Sequence, residues 1–461
     1  MQRAAMGLAV VCAQRLAQRG GVYGARVTLL VGAGDNGADT LWAGALLAAR
    51  GARVTAVLVG QPRPDALAAL LAAGGRVGGR VGGRVGGFDQ ADLVLDGMVG
   101  LGGRGPLRPQ AAALAEQALA YDVVAVDVPS GVDADTGAVE GAAVTAALTV
   151  TFGTLKPGLL VGAGRARAGQ VVLIELGPAL AGGLGPPAVE VLEAADVARL
   201  LPAGKAVSDK YSRGVLGIAA GSQTYPGAAV LCVGAALRSG AGMVRFAGAP
   251  HPADQVRAHW PEAVVGAYEG ASVVEAGQVQ AWVVGPGLGT GADAAATVEA
   301  ILASDVPVLV DADALTVCAQ HPDWLRRRTA PTLLTPHDRE YARFGAAVGP
   351  DRLRAARSLA AELGVTVLLK GDATVVVDAV GPARVNDTGS PVLATVGTGD
   401  VLSGGIGALL SQGLSTVDAG SVGAYLHGRA GALSADGATT SAYAVLGSWP
   451  DAVREAARLA R

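Results

Sequence analysis

In Ala394-Thr395-Val396-Gly397-Thr398-Gly399-Asp400, a glycine turn runs into an apolar stretch with a carboxylate at the junction. Leu402, Ile406, Leu409 and Leu410 recur at helical spacing, so a helix begins near Asp400 and its unpaired N–H groups and positive end face the turn. Such a helix end suits an anion, and Gly397 and Gly399 let the backbone approach a phosphate closely. Asp400 is then placed to take a proton from a hydroxyl beside that phosphate. A plain helix start with an aspartate near its N-cap satisfies the same letters. Four further segments bear on the choice: Gly285-Pro286-Gly287-Leu288-Gly289, Thr335-Pro336-His337-Asp338-Arg339-Glu340, Leu369-Lys370-Gly371-Asp372-Ala373-Thr374 and Asn386-Asp387-Thr388-Gly389. Most directly follow strand-like runs, and loops at the carboxyl ends of strands in an open α/β sheet collect around one crevice.

The first half carries its own polar constellation. Gly32-Ala33-Gly34-Asp35-Asn36-Gly37 matches G-x-G-x-x-G between a strand and a helix. The acidic residue expected about twenty positions later is missing, because the next strand ends at Gly60-Gln61, and a conventional NAD dehydrogenase is therefore a poor reading. Asp96, Asp127 and Ser130 sit at the ends of strand-like runs and, with Asn36, gather oxygen ligands near one sheet edge. An oxygen-rich set suits a hard cation, while capping of turns by Asp and Ser is the alternative. Lys156, Lys205, Lys210 and Lys370 are the only four lysines in an arginine-rich chain, which marks them as candidates for needing a compact ammonium.

These residues need a scaffold of buried strands. With 461 residues the chain is too long for one ordinary core and fits two α/β domains. Hydrophobic residues make up 51% and aromatics 4%, with 69 glycines, a composition suited to short buried strands joined by tight turns. Strand-like runs at 26–31, 54–59, 93–95, 123–128 and 148–152, with a helical stretch at 41–50, open the chain as βαβ units. Runs at 215–220, 282–284, 306–310, 332–334 and 365–369 repeat the pattern, which predicts parallel sheets with helices on both faces. The Gly-Gly-Arg-Val tandem at 74–87 reads as a surface-loop expansion, and small residues and prolines at 181–187 read as a linker.

A net charge of −3 gives no basic field for nucleic acid. No run is long and apolar enough to span a bilayer. The apolar run 4–13 passes into Gln14, Arg15, Gln18 and Arg19 at helical spacing, which favours a packed helix over a secretory signal. Cys12, Cys232 and Cys318 are odd in number and scattered, as reduced cytoplasmic thiols are.

From Leu201 onward the sequence resembles the ribokinase-like superfamily, and within it the ADP- or ATP-dependent NAD(P)H-hydrate dehydratases. The likeness rests on the Asp400 turn and the loops above, together with Lys210-Tyr211-Ser212-Arg213-Gly214, Tyr225-Pro226-Gly227-Ala228-Ala229 and Ser239-Gly240-Ala241-Gly242. Asp209 stands where a histidine is usual and Thr398 where serine is common. The resemblance implies an adenine nucleotide, ADP or ATP, at Lys370, Gly371, Asp372, Ala373, Thr374 and Gly399, with Mg2+ on its phosphates. It implies the hydrated nicotinamide at Ala228, Gly287, His337 and Asp400, with Asp400 as base.

Residues 1–180, ending in Thr151-Phe152-Gly153-Thr154-Leu155-Lys156-Pro157-Gly158, resemble NAD(P)H-hydrate epimerases. That likeness implies K+ at Asn36, Asp96 and Ser130. It implies the hydrated dinucleotide at Asp35, Asn36, Gly37, Ala38 and Asp39, at the loop Gly100-Leu101-Gly102-Gly103-Arg104-Gly105-Pro106, and at Asp127, the acid–base candidate. Family members usually show Asn-Asn-Gly-Gly-Asp-Gly, so Asp35 adds a charge here and Ala38 adds a Cβ where positive φ is expected. The chain starts at the family's first helix, and an upstream segment is expected to be missing.

The resulting expectation is an α/β chain of two three-layer αβα domains: a Rossmann-like epimerase domain at 1–185, a linker at 186–200 and a ribokinase-like dehydratase at 201–461. Its partners are small molecules, with no nucleic acid or membrane, in a cytoplasmic homo-oligomer. A small-molecule kinase with a non-catalytic nucleotide-binding first domain remains the alternative.

Overall fold

Val27, Leu29, Leu30 and Val31 are at most 1% exposed, burial on both faces that suits an apolar, partly β-branched run to the centre of a parallel sheet. The computed structural model describes residues 2–78, 80–81, 84–85, 88, 90–177, 183–202 and 213–459. It places this run as β1 (Arg26–Val31), followed by β2 (Arg53–Leu58), β3 (Arg76–Val77), a separate antiparallel pair β4 (Arg80–Val81) and β5 (Arg84–Val85), then β6 (Leu93–Gly97), β7 (Val123–Val126), β8 (Leu148–Phe152) and β9 (Gln170–Ile174). The main sheet has the order β3-β2-β1-β6-β7-β8-β9 and is parallel throughout. Leu29 and Val31 pack with helices Gln2–Ala17 and Asp35–Ala49, whereas Leu30 packs with Val57, Val94 and the helix Pro109–Ala118. Successive residues thus feed opposite faces, giving three layers.

The Gly-Gly-Arg-Val tandem is not simply a loop. Arg76-Val77 extends the sheet edge and two later Arg-Val pairs form β4 and β5, because an edge or isolated hairpin needs ladder hydrogen bonds and some β preference but little buried surface. The run 4–13 lies in the helix Gln2–Ala17, with Leu8, Cys12 and Leu16 at most 2% exposed.

Two compact units divide the chain, residues 1–186 and 187–461. The expected linker 186–200 is therefore corrected: its β10 (Val189–Val191) pairs with a strand of the second unit, and the helix Ala194–Leu200 buries Val197 there. Reciprocal side-chain bonds between Glu193 and Asp196 start that helix. Ala181, Gly182, Asp209, Lys205 and Lys210-Tyr211-Ser212 lie outside the described residues.

The second unit continues with β11 (Val215–Ala219), β12 (Met243–Gly248), β13 (Val264–Ala267), β14 (Ala281–Val284), β15 (Val308–Val310), β16 (Thr332–Leu334), β17 (Thr366–Leu369), β18 (Thr374–Val377) and β19 (Ala383–Asn386). The sheet order is β10-β19-β18-β17-β16-β15-β14-β11-β12-β13. It is mixed, because β18 runs antiparallel to both β17 and β19. The strand order reverses at β1/β6 in the first sheet, and in the second the descending run from β19 to β14 reverses at β14/β11; such reversal points open crevices where ligands bind.

The helix Thr398–Ser411 is held at the second crevice by glycines. A Cβ on Gly404 would lie 2.0 Å from the Cys232 carbonyl oxygen, one on Gly405 2.3 Å from the Trp449 ring, and one on Gly407 2.3 Å from Val283. The helix is therefore clamped by two neighbouring helices and the sheet, and its N-terminus inherits that rigidity.

Candidate functional site

The helix bearing Asp400 starts two residues earlier than the apolar spacing suggests, at Thr398. Gly397 caps it at φ +88°, a left-handed conformation, and a Cβ there would meet Leu231 at 2.7 Å. Thr398, Gly399 and Asp400 therefore form the first turn, where backbone N–H groups have no helical partners. Thr398 turns its hydroxyl inward, donating to the Leu393 carbonyl at 2.8 Å and the Thr395 carbonyl at 2.9 Å.

Lys370, from the end of β17, stands beside this turn: its Nζ is 3.9 Å from where a Gly399 Cβ would be. The ammonium donates to Asp311 Oδ1 at 2.8 Å and lies 3.4 Å from Glu340 Oε2. Asp311 also accepts from Thr335 at 2.8 Å and Ser403 at 2.7 Å, the latter on the Asp400 helix. Burial alone would raise the Asp311 carboxyl, but Lys370 and these hydroxyls outweigh it and hold it below its ordinary value. Asp400 behaves oppositely. Burial, reinforced by Asp311 and Asp313 and opposed by Lys370, pushes its carboxyl up to about 7.

His337 caps the short helix Asp338–Tyr341: its Nδ1 accepts from the Arg339 and Glu340 N–H groups at 3.1 Å each. That assigns the proton to Nε2, which on the half-exposed ring lies 3.5 Å from Glu340 Oε1. Glu340 returns the bond by accepting from the His337 N–H at 2.9 Å, so one carboxylate ties the His337 and Lys370 loops together. Gly287, at φ +62°, comes so close to Ala228 that a Cβ there would lie 2.8 Å from the Ala228 Cβ. Asp313 accepts from the Gly289 N–H at 2.8 Å and steadies this loop. A Cβ on Gly389 would lie 2.2 Å from the Asp372 carbonyl oxygen, which puts the Asn386–Gly389 segment against the Lys370 loop. In that loop Gly371 and Asp372 are exposed, while Ala373 is 3% exposed and Thr374, 8% exposed, is the first residue of β18. Asp311, Glu340 and Ser403 had no assigned role from sequence; the position of Asp311 directly after a strand-like run was the available signal.

In the first unit the helix begins at Asp35, inside the glycine motif, with Gly34 as its cap. Residues 35–39 are thus a first helical turn. Ala38 does not need positive φ: it is helical and 1% exposed, so its Cβ lies in the core and offers no surface to a ligand. Gly37 is likewise internal, packed where a Cβ would lie 2.1 Å from the Gly32 carbonyl oxygen. Asp35 is exposed and 3.7 Å from Arg63, which offsets part of its added charge. The Gly100–Pro106 loop runs beside Asn36, where a Gly100 Cβ would lie 2.5 Å from its amide, and Arg104 is fixed by Asp133 at 3.3 Å and Asp135 at 2.6 Å.

Asn36, Asp96 and Ser130 converge between β1, β6 and β7. Asp96 Oδ1 accepts from the Ser130 hydroxyl at 2.6 Å and Oδ2 from the Ser130 N–H at 2.8 Å. Asn36 donates to the Val126 carbonyl at 2.6 Å. Burial, only partly offset by the Ser130 and Met98 bonds, pushes the Asp96 carboxyl up to about 6. No ion pair to Asp96 exists among the described residues. Asp127, at φ +68°, is held in that conformation by Lys156 Nζ at 2.6 Å, the Thr151 hydroxyl at 3.0 Å and the Phe152 N–H at 3.3 Å. Lys156, 7% exposed, is the partner that sequence left without a role. Asp39 is also buried, one of its oxygens has no hydrogen-bond partner, and burial, with the Asp35 and Asp127 charges, pushes it up to about 6.

Residues 216–446 match the family model described as NAD(P)H-hydrate dehydratase, and residues 1–158 match the YjeF-related protein N-terminus. The chain is 50% identical to the bifunctional NAD(P)H-hydrate repair enzyme of Mycobacterium leprae (strain TN), covering 94% of this chain and 89% of that relative. It is 35% identical to the protein of the same description from Escherichia coli (strain K12), covering 87% and 79%. Among solved structures, the ADP/ATP-dependent NAD(P)H-hydrate dehydratase of Bacillus subtilis, co-crystallised with ATP/Mg2+, aligns with a TM-score of 0.52 and 29% identity over 57% of this chain and 97% of that one. A ribokinase-like superfamily protein of Enterococcus faecalis V583 aligns with a TM-score of 0.54 and 26% identity over 60% and 99%.

Proposed function

This chain belongs to the family of bifunctional NAD(P)H-hydrate repair enzymes, and on that premise we propose that Asp400 is the base of an ADP-dependent dehydration while Asp127 serves epimerisation of the R and S hydrates. The observation that carries the first assignment is the meeting of the Gly397-capped helix, Asp400 and the Lys370 ammonium at one crevice. A hydroxyl on the saturated nicotinamide carbon leaves poorly as hydroxide. Asp400 takes its proton as the terminal phosphoryl of the nucleotide transfers to the oxygen; the C–O bond then breaks with phosphate taking the electron pair, and the adjacent ring carbon gives up a proton to the departing phosphate or to water, which forms the double bond of the reduced nicotinamide. A base raised to about 7 is well matched to a proton transfer near neutral pH.

The helix N-terminus and Lys370 face the charge that builds on the transferring phosphoryl. Gly371, Asp372 and Gly399 line the nucleotide, with Mg2+ on its phosphates; Ala228 and Gly287 form the floor for the hydrated ring, and His337 donates from Nε2. Potassium fits the first unit. Asn36, Asp96 and Ser130 supply hard oxygen atoms, and the buried Asp96 carboxylate lacks a cationic partner among the described residues. When bound there, the ion would supply that charge.

The test is turnover of the separated S hydrate by the full chain with ADP and, separately, ATP. Recovery of the reduced-nicotinamide absorbance, faster with ADP, is expected. A stable phosphorylated product would instead restore the kinase alternative, which matches to repair enzymes over both halves do not favour.

A further inference from the structure

We infer that Asp311-Ala312-Asp313, between β15 and the helix Asp313–Gln320, is a strained positioning turn that fixes both walls of the Asp400 crevice at once. This rests on the dehydratase reading of that crevice. Ala312 has φ +51° and ψ −116°, the geometry of the first central residue of a type II′ turn, where glycine is the usual occupant because a Cβ is strained there. An alanine costs free energy at such a position and stays only where its surroundings leave no alternative.

Those surroundings grip the chain on both sides of the turn. Before it, the Asp311 N–H donates to the Val284 carbonyl at 3.1 Å, and a Cβ on Gly285 would lie 2.0 Å from the Asp311 carbonyl oxygen. After it, the Ala314 N–H donates to the Asp311 carbonyl at 3.2 Å and the Leu315 N–H to the Ala312 carbonyl at 3.1 Å, with Ala314 and Leu315 fully buried.

The two flanking carboxylates serve different walls. Asp311 accepts from Lys370 at 2.8 Å and, through Ser403 at 2.7 Å, holds the Asp400 helix. Asp313 accepts from the Gly289 N–H at 2.8 Å, on the loop whose Gly287 meets Ala228. The nucleotide wall and the hydrate floor therefore hang from three consecutive residues, and a relaxed peptide at Ala312 would turn one carboxylate away from its partner. Their charges also reach Asp400. Asp311 and Asp313 raise its proton affinity and Lys370 lowers it, while burial keeps Cys232 on the helix Pro226–Arg238 protonated and His427 on the helix Thr416–Ala435 neutral.

The experiment follows dehydration of the S hydrate by the full chain with ADP along the acid limb of the pH–rate profile. Asp313→Asn keeps an oxygen acceptor but removes the charge, so the limb of kcat/KM is expected to move to lower pH by about half a unit or more with KM for the hydrate nearly unchanged. Asp313→Ala removes both, and the same shift is expected with that KM raised about threefold or more. Ala312→Gly relieves the Cβ conflict, so its thermal midpoint is expected to match or exceed that of the wild type, while kcat falls about twofold or more because a permissive residue holds the turn less firmly. A lower midpoint in Ala312→Gly, an unmoved acid limb in folded Asp313→Asn, or an unchanged KM in folded Asp313→Ala overturns the proposal. Absence of dehydration by the wild type overturns the dehydratase reading instead, and the thermal comparison then still judges the strain.

Discussion

At the scale of single residues, the second unit depends on two carboxylates with opposite surroundings. Asp311 is compensated by Lys370, Ser403 and Thr335, whereas Asp400 is half-buried near it with its own proton affinity raised to about 7. As a base, Asp400 must be ionised, so kcat/KM for dehydration is expected to fall as pH drops through about 7, and Asp400→Asn to lose roughly 10²–10⁴-fold in kcat with the pH limb abolished. A pH–rate profile of both proteins checks this. The same shift has a stability consequence of the reverse sign from a salt-bridged carboxylate. Between the ordinary carboxylate range and about 7 the folded protein holds a proton that the unfolded chain has released, so Asp400 makes stability fall as pH rises through that window. Urea unfolding of Asp400→Asn should show a smaller loss between pH 5 and pH 8 than the wild type. In the first unit, Lys156→Met leaves Asp127 buried without its counter-charge. The expected cost is about 3–5 kcal/mol, measured by denaturant unfolding, with loss of epimerisation.

At the scale of elements, close backbone approach sets the shape of the dehydratase floor. Gly287→Ala would put a Cβ 2.8 Å from Ala228 at φ +62°. A fold that survives with about 1–3 kcal/mol of strain and a KM for the hydrate raised severalfold is expected, measured by steady-state kinetics alongside thermal unfolding. Much of this element-level picture was legible in the sequence, because the parallel core strands are continuous apolar runs and the glycine turns follow them. What was not legible has physical reasons. Val189–Val191 is a three-residue edge strand whose partner, Ala383–Val385, is distant in sequence, and Thr374–Val377 is a four-residue strand in an antiparallel pair, so neither is long enough for a local pattern to mark it. Asp311 reads like any acid at a strand end; its meaning comes from Lys370 and Ser403, 59 and 92 residues away. Ala38 was misjudged because a glycine-rich motif looks like a loop until the helix is seen to begin within it.

At the scale of the molecule, each unit has its own sheet and its own core. Inactivation should therefore be separable: Asp127→Asn should stop interconversion of the hydrates while leaving S-hydrate dehydration within about twofold of wild type, since sites in separate cores with no shared partners among the described residues behave additively. One chain is expected to convert both hydrates to reduced dinucleotide. The most direct measurement supplies the wild-type chain with purified R hydrate and ADP and follows the absorbance of the reduced nicotinamide against an Asp127→Asn control. Full recovery is expected with the wild type, and the control is expected to be limited to the slow spontaneous rate. Persistence of the R hydrate with wild type, or accumulation of a stable phosphorylated hydrate, would contradict it.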